Sequence, residues 1–373
     1  MIIPDSIKRQ LETPCLIIDL EQSRRNINGM QKVVDQAGCT LRPHVKTHKM
    51  PFFAHLQREA GAVGITCAKV SEAQVFAAAG LDDIFIAYPL VGAFRINRAI
   101  ALAKQVKRLI LAVDSFAGAQ ALSAAATAAA LNLEVRLEID TGAQRTGVLR
   151  QEAAALVAAL IELPGLNLTG IYTFKSLIYQ GQATTDNEKA AVEEGALLKQ
   201  TAQEIEERGI HLKDISGGSS PTGRALAQTG AVTEIRPGTY IFNDLMLCNE
   251  GVATVQDIAV RFVATVVSCP RADYAIIDGG TKCFPTDQPL HSAPFNYQGY
   301  AVVEGKEELR LDRMNEEHGI ITARTGKTGL SVGQIITLLP LHVCTAINMH
   351  NTVYLLEQNT VRIMPVQARG MLV

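Results

Sequence analysis

The chain has 373 residues, 47% of them hydrophobic and 19% charged, the make-up of a folded globular protein rather than a disordered or fibrous one. Its 35 Lys and Arg nearly balance 37 Asp and Glu, for a formal charge of −2, and no basic run stands out, so nucleic acid is not an expected partner. The length exceeds what one hydrophobic core organises well, and two domains are expected.

At the N-terminus, Met1-Ile2-Ile3-Pro4-Asp5 lacks the basic flank and long apolar stretch of a secretory signal. The cysteines (Cys15, Cys39, Cys67, Cys248, Cys269, Cys283, Cys344) are scattered and form no Cys-x-x-Cys pair, the usage of a reducing compartment. The most apolar stretch, 117–133, is alanine-rich and broken by Gln120, Ser123, Thr127 and Asn132, so it reads as a packed helix and not a membrane span. A cytoplasmic protein with no membrane partner is expected.

Short apolar runs recur at 38–45, 64–69, 83–88, 108–113, 133–139, 168–173, 211–216 and 231–236. Between them, segments 21–37, 50–61, 71–80, 94–106, 115–131, 151–163 and 187–209 carry helical periodicity. Eight alternations of strand and helix predict an α/β fold, a (β/α)8 TIM barrel. Past Arg236-Pro237-Gly238 the rhythm changes to β-branched runs without intervening helices, at 256–268, 274–278, 297–304, 319–324, 335–339, 352–357 and 361–364. These predict a following, mostly antiparallel β domain. The barrel is placed at 16–250, and residues 1–15 are grouped with 251–373 in the β domain.

Barrel enzymes keep their chemistry at the C-terminal ends of the strands. The polar residues at those ends are Lys46, Cys67, Lys69, Tyr88, Asp114, Asp140, Arg145 and Tyr172, then the turns Ser216-Gly217-Gly218-Ser219-Ser220 and Arg236-Pro237-Gly238-Thr239-Tyr240. Gly- and Ser-rich turns after strands seven and eight are where barrels commonly hold a phosphate, the alternative being a flexible loop. A lysine amine at the barrel mouth can hold an aldehyde as a Schiff base, and with a phosphate cradle this points to pyridoxal phosphate. The alternative is a solvated surface lysine, which the shared strand face with Arg42 and His44 disfavours. Lys49 is the competing lysine and is expected to be solvated.

In the C-terminal half, His342 and Cys344 stand two apart in a β-rich run, so both are expected to project from one strand face. Imidazole and thiolate so placed suit zinc; a packed histidine beside a packed cysteine is the alternative. Asp278 and His318 belong to polar segments that read as turn or strand-end features.

Four ordered motifs carry a resemblance. Arg42-Pro43-His44-Val45-Lys46-Thr47-His48-Lys49, Asp140-Thr141-Gly142-Ala143-Gln144-Arg145-Thr146-Gly147, Glu234-Ile235-Arg236-Pro237-Gly238-Thr239-Tyr240 and His342-Val343-Cys344 resemble the D-threonine aldolase and D-serine dehydratase family. These are fold-type III pyridoxal phosphate enzymes, relatives of alanine racemase. The resemblance runs from roughly residue 12 to the C-terminus.

It implies that Lys46 is the Schiff-base lysine and the base that moves the Cα proton, that Arg145 lies near the cofactor's phenolic oxygen, and that Tyr172 faces its ring nitrogen. Ser216, Gly217, Gly218, Arg236, Gly238 and Thr239 would frame the cofactor and its phosphate, and His342 and Cys344 a divalent metal, Zn or Mn. His342 also counts as catalytic alongside Lys46, a histidine being a candidate base for the hydroxyl proton. The resemblance further implies a homodimer with its active site at the subunit interface. The chain departs from the family at Thr173-Phe174-Lys175-Ser176-Leu177, where a Gly-His segment is usual, and at Leu341, where asparagine is usual.

The implied activity is a metal-assisted lyase acting on small D-β-hydroxy amino acids, cleaving them by a retro-aldol step to glycine and an aldehyde. The alternative is a D-serine or D-threo-3-hydroxyaspartate dehydratase, giving a keto acid and ammonia. An amino-acid racemase would need a second base on the opposite cofactor face and would exchange Cα deuterium without forming product. A non-catalytic pyridoxal phosphate carrier normally lacks a domain such as 252–373. A cofactor-free Schiff-base aldolase would act on sugar phosphates.

Overall fold

The computed structural model describes residues 3–324 and 326–373; Met1 and Ile2, which begin the N-terminal reading above, lie outside the described residues. The chain divides into two units. One comprises residues 28–46, 50–238 and 370–373, and the other residues 1–27, 47–49 and 239–369.

The first unit is the barrel. Its parallel strands are Thr40–Leu41, Ile65–Cys67, Asp83–Pro89, Arg108–Val113, Leu133–Asp140, Leu166–Tyr172, Asp214–Gly217 and Glu234–Ile235. From Ile65–Cys67 onward each pairs with the next, and Thr40 and Leu41 pair in parallel with Glu234 and Ile235. Between the first two strands the link is short: a bridge of His44 with Thr66, Val45 N–H donating to Thr66 O at 2.9 Å and Thr66 N–H to Pro43 O at 2.8 Å. Pro43 cannot donate to a ladder, which helps explain why the first strand stops so soon after its start.

The intervening helices are Pro51–Glu59, Val70–Ala78, Ala93–Ala103, Phe116–Ala128, Arg150–Leu160, Asn187–Glu206 and Gly223–Gln228. The alanine-rich stretch is the helix Phe116–Ala128, with Ala119, Leu122, Ser123 and Ala126 buried. Among the described residues no helix is long and apolar enough to cross a membrane. Two features went unforeseen: the hairpin of Ile178–Tyr179 with Gln182–Ala183 after strand six, and the short strand Val148–Leu149 beside Leu133–Asp140.

The barrel interior is layered. Phe85, Ile110, Ala112 and Tyr172 form an apolar cluster. Nearer the strand starts lies a charged layer: Arg42 Nε meets Glu234 Oε2 at 2.7 Å, Arg136 reaches Glu234 Oε1 at 2.6 Å and Asp214 at 2.9 Å, and Arg42 also pairs with Asp83 at 2.5 Å. Buried charges of this kind are tolerated only when paired.

The second unit is built on an almost wholly antiparallel sheet. Tyr274–Ile277, Gly319–Ala323, Lys306–Met314, Ala301–Val303, Ile335–Pro340 and Val260–Ser268 pair in that order, and Tyr274–Ile277 returns to pair with Val260–Ser268, closing a ring. Cys15–Asp19, Thr352–Glu357 and Thr360–Pro365 extend the sheet, and the one parallel pairing is Cys15–Asp19 with Thr352–Glu357. Ile3, Ile7, Leu11, Cys15 and Ile17 pack with Val263 and Leu356 in one core. Lys306–Met314 was not among the expected strands: its Leu309 and Leu311 are buried, but six of its nine residues are charged, leaving too few apolar positions to show the alternation. The fold is therefore a TIM-type barrel followed by an antiparallel β domain, as the sequence predicts.

Candidate active site

In the barrel unit Lys46 follows the first strand, beyond the His44 bridge, and is partly buried. Its Nζ lies 5.4 Å from the centroid of the Phe174 ring, and the Arg145 guanidinium lies 4.7 Å from that same centroid. Lys46 and Arg145, far apart in sequence, thus share one aromatic ring.

Arg145 is delivered by a loop whose geometry its own motif dictates. Asp140 Oδ1 accepts from Gly142 N–H at 2.8 Å and Gln144 N–H at 3.1 Å, and Thr146 Oγ1 donates to Glu138 at 2.9 Å. Gly147 has φ 103°, and a Cβ there would stand 2.7 Å from Asp140 N, so only glycine closes this turn. Thr141 Oγ1 meets Thr173 Oγ1 at 2.7 Å, which ties the loop to the segment carrying Phe174.

Tyr172 is 1% exposed and donates its hydroxyl to Glu138 Oε2 at 2.8 Å. Burial and the neighbouring Glu138 push its pKa well above the usual phenol value, so it stays protonated. Burial also raises Glu138, against its bonds from Tyr172 and Thr146. Arg236 lies over the Tyr172 ring at 5.1 Å and donates to Ser216 Oγ at 2.5 Å and to Thr173 O at 2.6 Å. Ser216 in turn donates to Glu234 at 2.6 Å. The side chains of Ser216 and Arg236 are therefore engaged within the barrel, one step beneath the turns they introduce.

Gly218 has φ 78°, where a Cβ would crowd Gly223 Cα at 3.2 Å, and its N–H donates to buried Glu194 at 2.8 Å. Gly217 is just as closely fitted, with Leu198 and Leu226 at 3.0 and 3.1 Å from a built Cβ. These glycines shape the turn after strand seven, and Ser219 and Ser220 carry hydroxyls onward from it. A phosphate-sized anion suits such a turn, and the paired cations at Phe174 suit a planar anionic ring, so the residues present fit pyridoxal phosphate.

Lys49 departs from expectation. It is 5% exposed with φ 54°, and its carbonyl accepts from Ala368 N–H at 3.0 Å. The segment Thr47–Lys49 belongs to the antiparallel unit, which buries a lysine that a plain turn would have left in water.

In that antiparallel unit His342 and Cys344 are brought together, but not on a strand. Strand Ile335–Pro340 ends before them, His342 caps the helix Val343–Met349, and Cys344 lies in its first turn. The expectation of a shared strand face is corrected to a shared helix start; Asp244, itself the cap of Leu245–Asn249, accepts from Val343 N–H at 3.1 Å and fixes that start.

His342 and Cys344 lie close enough that the charge of each acts on the other. The Cys344 sulfur also meets the hydroxyls of Thr47 at 3.1 Å and Thr239 at 3.2 Å, and Asp287 Oδ2 stands 2.6 Å from His342 Nδ1. Thr239, expected among the phosphate-binding residues, places its hydroxyl on this sulfur, while Gly238 before it ends the barrel unit. Burial alone would lower the His342 imidazolium, but the Cys344 sulfur, Asp287 and Asp244 hold it protonated up to about 11. Burial would raise the Cys344 thiol, and His342 with the two threonines brings it below its ordinary value.

A thiolate-prone sulfur beside an imidazole that a carboxylate orients is a fitting donor pair for a borderline-soft divalent cation. Among the described residues no group of three or more His, Cys, Asp or Glu is placed to hold a metal. Asp278 serves the fold instead, accepting from Thr265 N–H at 2.9 Å and from Thr13 at 2.6 Å, and His318 is exposed. Sequence reading missed Glu138, Phe174, Thr47 and Asp287. A signal existed for Glu138: Glu134, Arg136 and Glu138 fall on alternate positions of one strand, a charged face that must point at partners.

The comparisons with known proteins agree. A family model described as alanine racemase, N-terminal domain, matches residues 18–245, and one described as a putative serine dehydratase domain matches residues 259–356. D-threo-3-hydroxyaspartate dehydratase of Delftia sp. (strain HT23) is 34% identical over 348 residues, covering 90% of this chain and 91% of that protein. The chain belongs to the D-threonine aldolase and D-serine dehydratase family. Within that family, D-threonine aldolase of Arthrobacter sp. is 30% identical over 372 residues, covering 97% of this chain and 93% of that one. The structure of D-threonine aldolase from Filomicrobium marinum matches with a TM-score of 0.86 at 28% identity, covering 97% of both chains. A cysteine-to-alanine variant of a D-threo-3-hydroxyaspartate dehydratase, solved in what is described as the metal-free form, matches with a TM-score of 0.85 at 31% identity, covering 96% of this chain and 98% of that one.

Proposed function

We propose that this chain is a pyridoxal phosphate-dependent, metal-assisted lyase that cleaves D-β-hydroxy amino acids to glycine and an aldehyde. The observation that carries the reading is Lys46 at the end of the first barrel strand, on the same aromatic ring as Arg145. When bound, the cofactor supplies an electron sink for charge developing at Cα and the metal a Lewis acid for the β-hydroxyl.

The chain's own residues then have distinct tasks. Lys46 Nζ anchors the cofactor and moves the proton at Cα. Arg145 offers a cation to the cofactor's phenolic oxygen, and Tyr172, held by Glu138, presents a neutral hydroxyl dipole toward its ring. Gly217, Gly218 and Gly238, with Ser216, Arg236 and Thr239 beneath or beside them, shape the turns for the phosphate. Cys344 and His342 would hold the metal, His342 with its Nδ1 on Asp287, and the ion would make the β-hydroxyl acidic enough for its proton to pass to water.

A second reading, β-elimination to a keto acid and ammonia, is favoured by the 34% identity to the Delftia dehydratase. The same residues serve it, because only the bond that breaks differs. The proposal extends to a homodimer in the cytoplasm, and Phe94, 90% exposed, with Val91 and Tyr88 on the barrel unit, supports an association surface.

The test is direct. The holoenzyme is incubated with D-threonine, D-serine and D-threo-3-hydroxyaspartate, with and without a chelator, and products are identified. Glycine with an aldehyde is the expected result; a keto acid with ammonia selects the second reading, and Cα exchange alone overturns both. Lys46→Ala is expected to abolish every reaction, and Cys344→Ala to remove the chelator-sensitive part. Turnover surviving in Lys46→Ala would overturn the assignment of the anchor.

A further inference from the structure

Between the strands Tyr274–Ile277 and Ala301–Val303 the antiparallel unit contains a segment without strand or helix. It brings Asp287 to His342, with Oδ2 2.6 Å from Nδ1. A carboxylate only accepts, so at this distance Nδ1 must carry the proton, and Nε2 is the nitrogen left for the Cys344 side. We propose that Asp287 is a positioning residue for the metal: by accepting the Nδ1 proton of His342 it locks the ring orientation and tautomer in which Nε2 shares an ion with Cys344 Sγ. This rests on the reading of His342 and Cys344 as metal ligands.

The other nearby carboxylate has different work. Asp244 is fully buried and spends its oxygens on the backbone N–H groups of Leu247 and Val343, each at 3.1 Å, so it sets where the helix begins. Asp287 bonds the imidazole itself, from a side chain that is 34% exposed. An ion pair as open to water as this contributes little to stability. Its effect is on direction: an imidazole without a partner on one nitrogen rotates and flips tautomer, and a ligand so loosened binds its metal more weakly.

Zinc binding to the pyridoxal phosphate-loaded protein, titrated in competition with a chromophoric chelator, separates the possibilities. Asp287→Ala is expected to weaken zinc about 10- to 100-fold while cofactor absorbance, thermal stability of the metal-free protein and the final zinc stoichiometry stay as in the parent. Asp287→Asn, which keeps an acceptor oxygen but loses the charge, is expected to recover part of the loss. Activity of Asp287→Ala is expected to return as zinc is raised. If both variants bind zinc as tightly as the parent while His342→Ala loses it, the role of Asp287 is overturned and the metal pair stands. If the parent binds no zinc, or His342→Ala binds it unchanged, the metal reading falls and the inference with it.

Discussion

Two clusters of buried charge, one in each unit, make use of burial in opposite ways. In the barrel, Glu234 takes Arg42 at 2.7 Å on one oxygen and Arg136 at 2.6 Å on the other; burial would raise this carboxyl, but the two arginines drive it far below the usual carboxylate range. In the antiparallel unit, burial raises Asp244 despite His342 and two backbone N–H groups, and burial together with Asp244 lifts Glu250 to about 8. The first cluster is a set of struts whose charges stay fixed over any ordinary pH. The second surrounds a donor pair with groups whose protonation is adjustable, and perturbed groups of that kind mark functional sites more often than structural ones.

The largest effect is expected from cutting a strut. Glu234→Leu takes from Arg42 and Arg136, both fully buried, the carboxylate they share, leaving them only Asp83 and Asp214 at the layer's edge, and a buried pair broken on one side costs about 3–5 kcal/mol. Urea denaturation should show the loss. Because the folded carboxyl is depressed, its stabilising contribution is present above the ordinary carboxyl range and fades only as pH falls below it, so the deficit should stay constant from neutral to alkaline pH. A loss below about 1 kcal/mol would mean that Asp83 and Asp214 suffice for the two arginines and erase the contrast.

A smaller, pH-dependent effect is expected at Glu250, whose carboxyl meets Tyr297 Oη at 3.3 Å. Its folded pKa, about 8 against the ordinary 4.5, gives the opposite sign: the folded state holds the proton longer, so stability is greatest below the ordinary value and declines as pH rises toward 8. Glu250→Gln should remove that decline, gaining about 1–3 kcal/mol over the parent at pH 8 relative to pH 5, since each pKa unit corresponds to about 1.4 kcal/mol. Parallel stability–pH curves for the two proteins would remove Glu250 from the adjustable cluster.

The clusters also differ in how far the sequence reveals them. The barrel rhythm is legible because strand and helix periods are local, and the Asp140–Gly147 turn because its bonds span only a few residues. Lys46 and Arg145 could be named from motifs, yet that Phe174 joins them could not, since nothing local in Thr173-Phe174-Lys175 announces a shared ring. His342 and Cys344 were legible as a pair and misplaced on a strand, because an apolar run before a helix start reads the same in either state. Their partners were hidden: Asp287 is 55 residues from His342, Thr239 is 105 from Cys344 and Thr47 is 297 from it. Distances of that order are closed by the tertiary fold alone.

The finest probe of the adjustable cluster is the pair of hydroxyls on Cys344. Thr47 and Thr239 donate to its sulfur when it is a thiolate, at 3.1 and 3.2 Å, and these bonds join His342 in holding the thiol below its ordinary value against burial. Valine keeps the shape of threonine and removes the donor. Thr47→Val and Thr239→Val should each weaken the thiolate by about 1 kcal/mol, the usual net worth of such a bond, or about fivefold in its population. In metal-free protein, the pH at which Cys344 becomes open to alkylation, followed by peptide mapping, should rise in each variant. Because both bonds end on one sulfur, the double variant should exceed either single one without matching their sum. If the alkylation profile stays unmoved in all three, His342 alone sets the state of the sulfur and the threonines serve only packing.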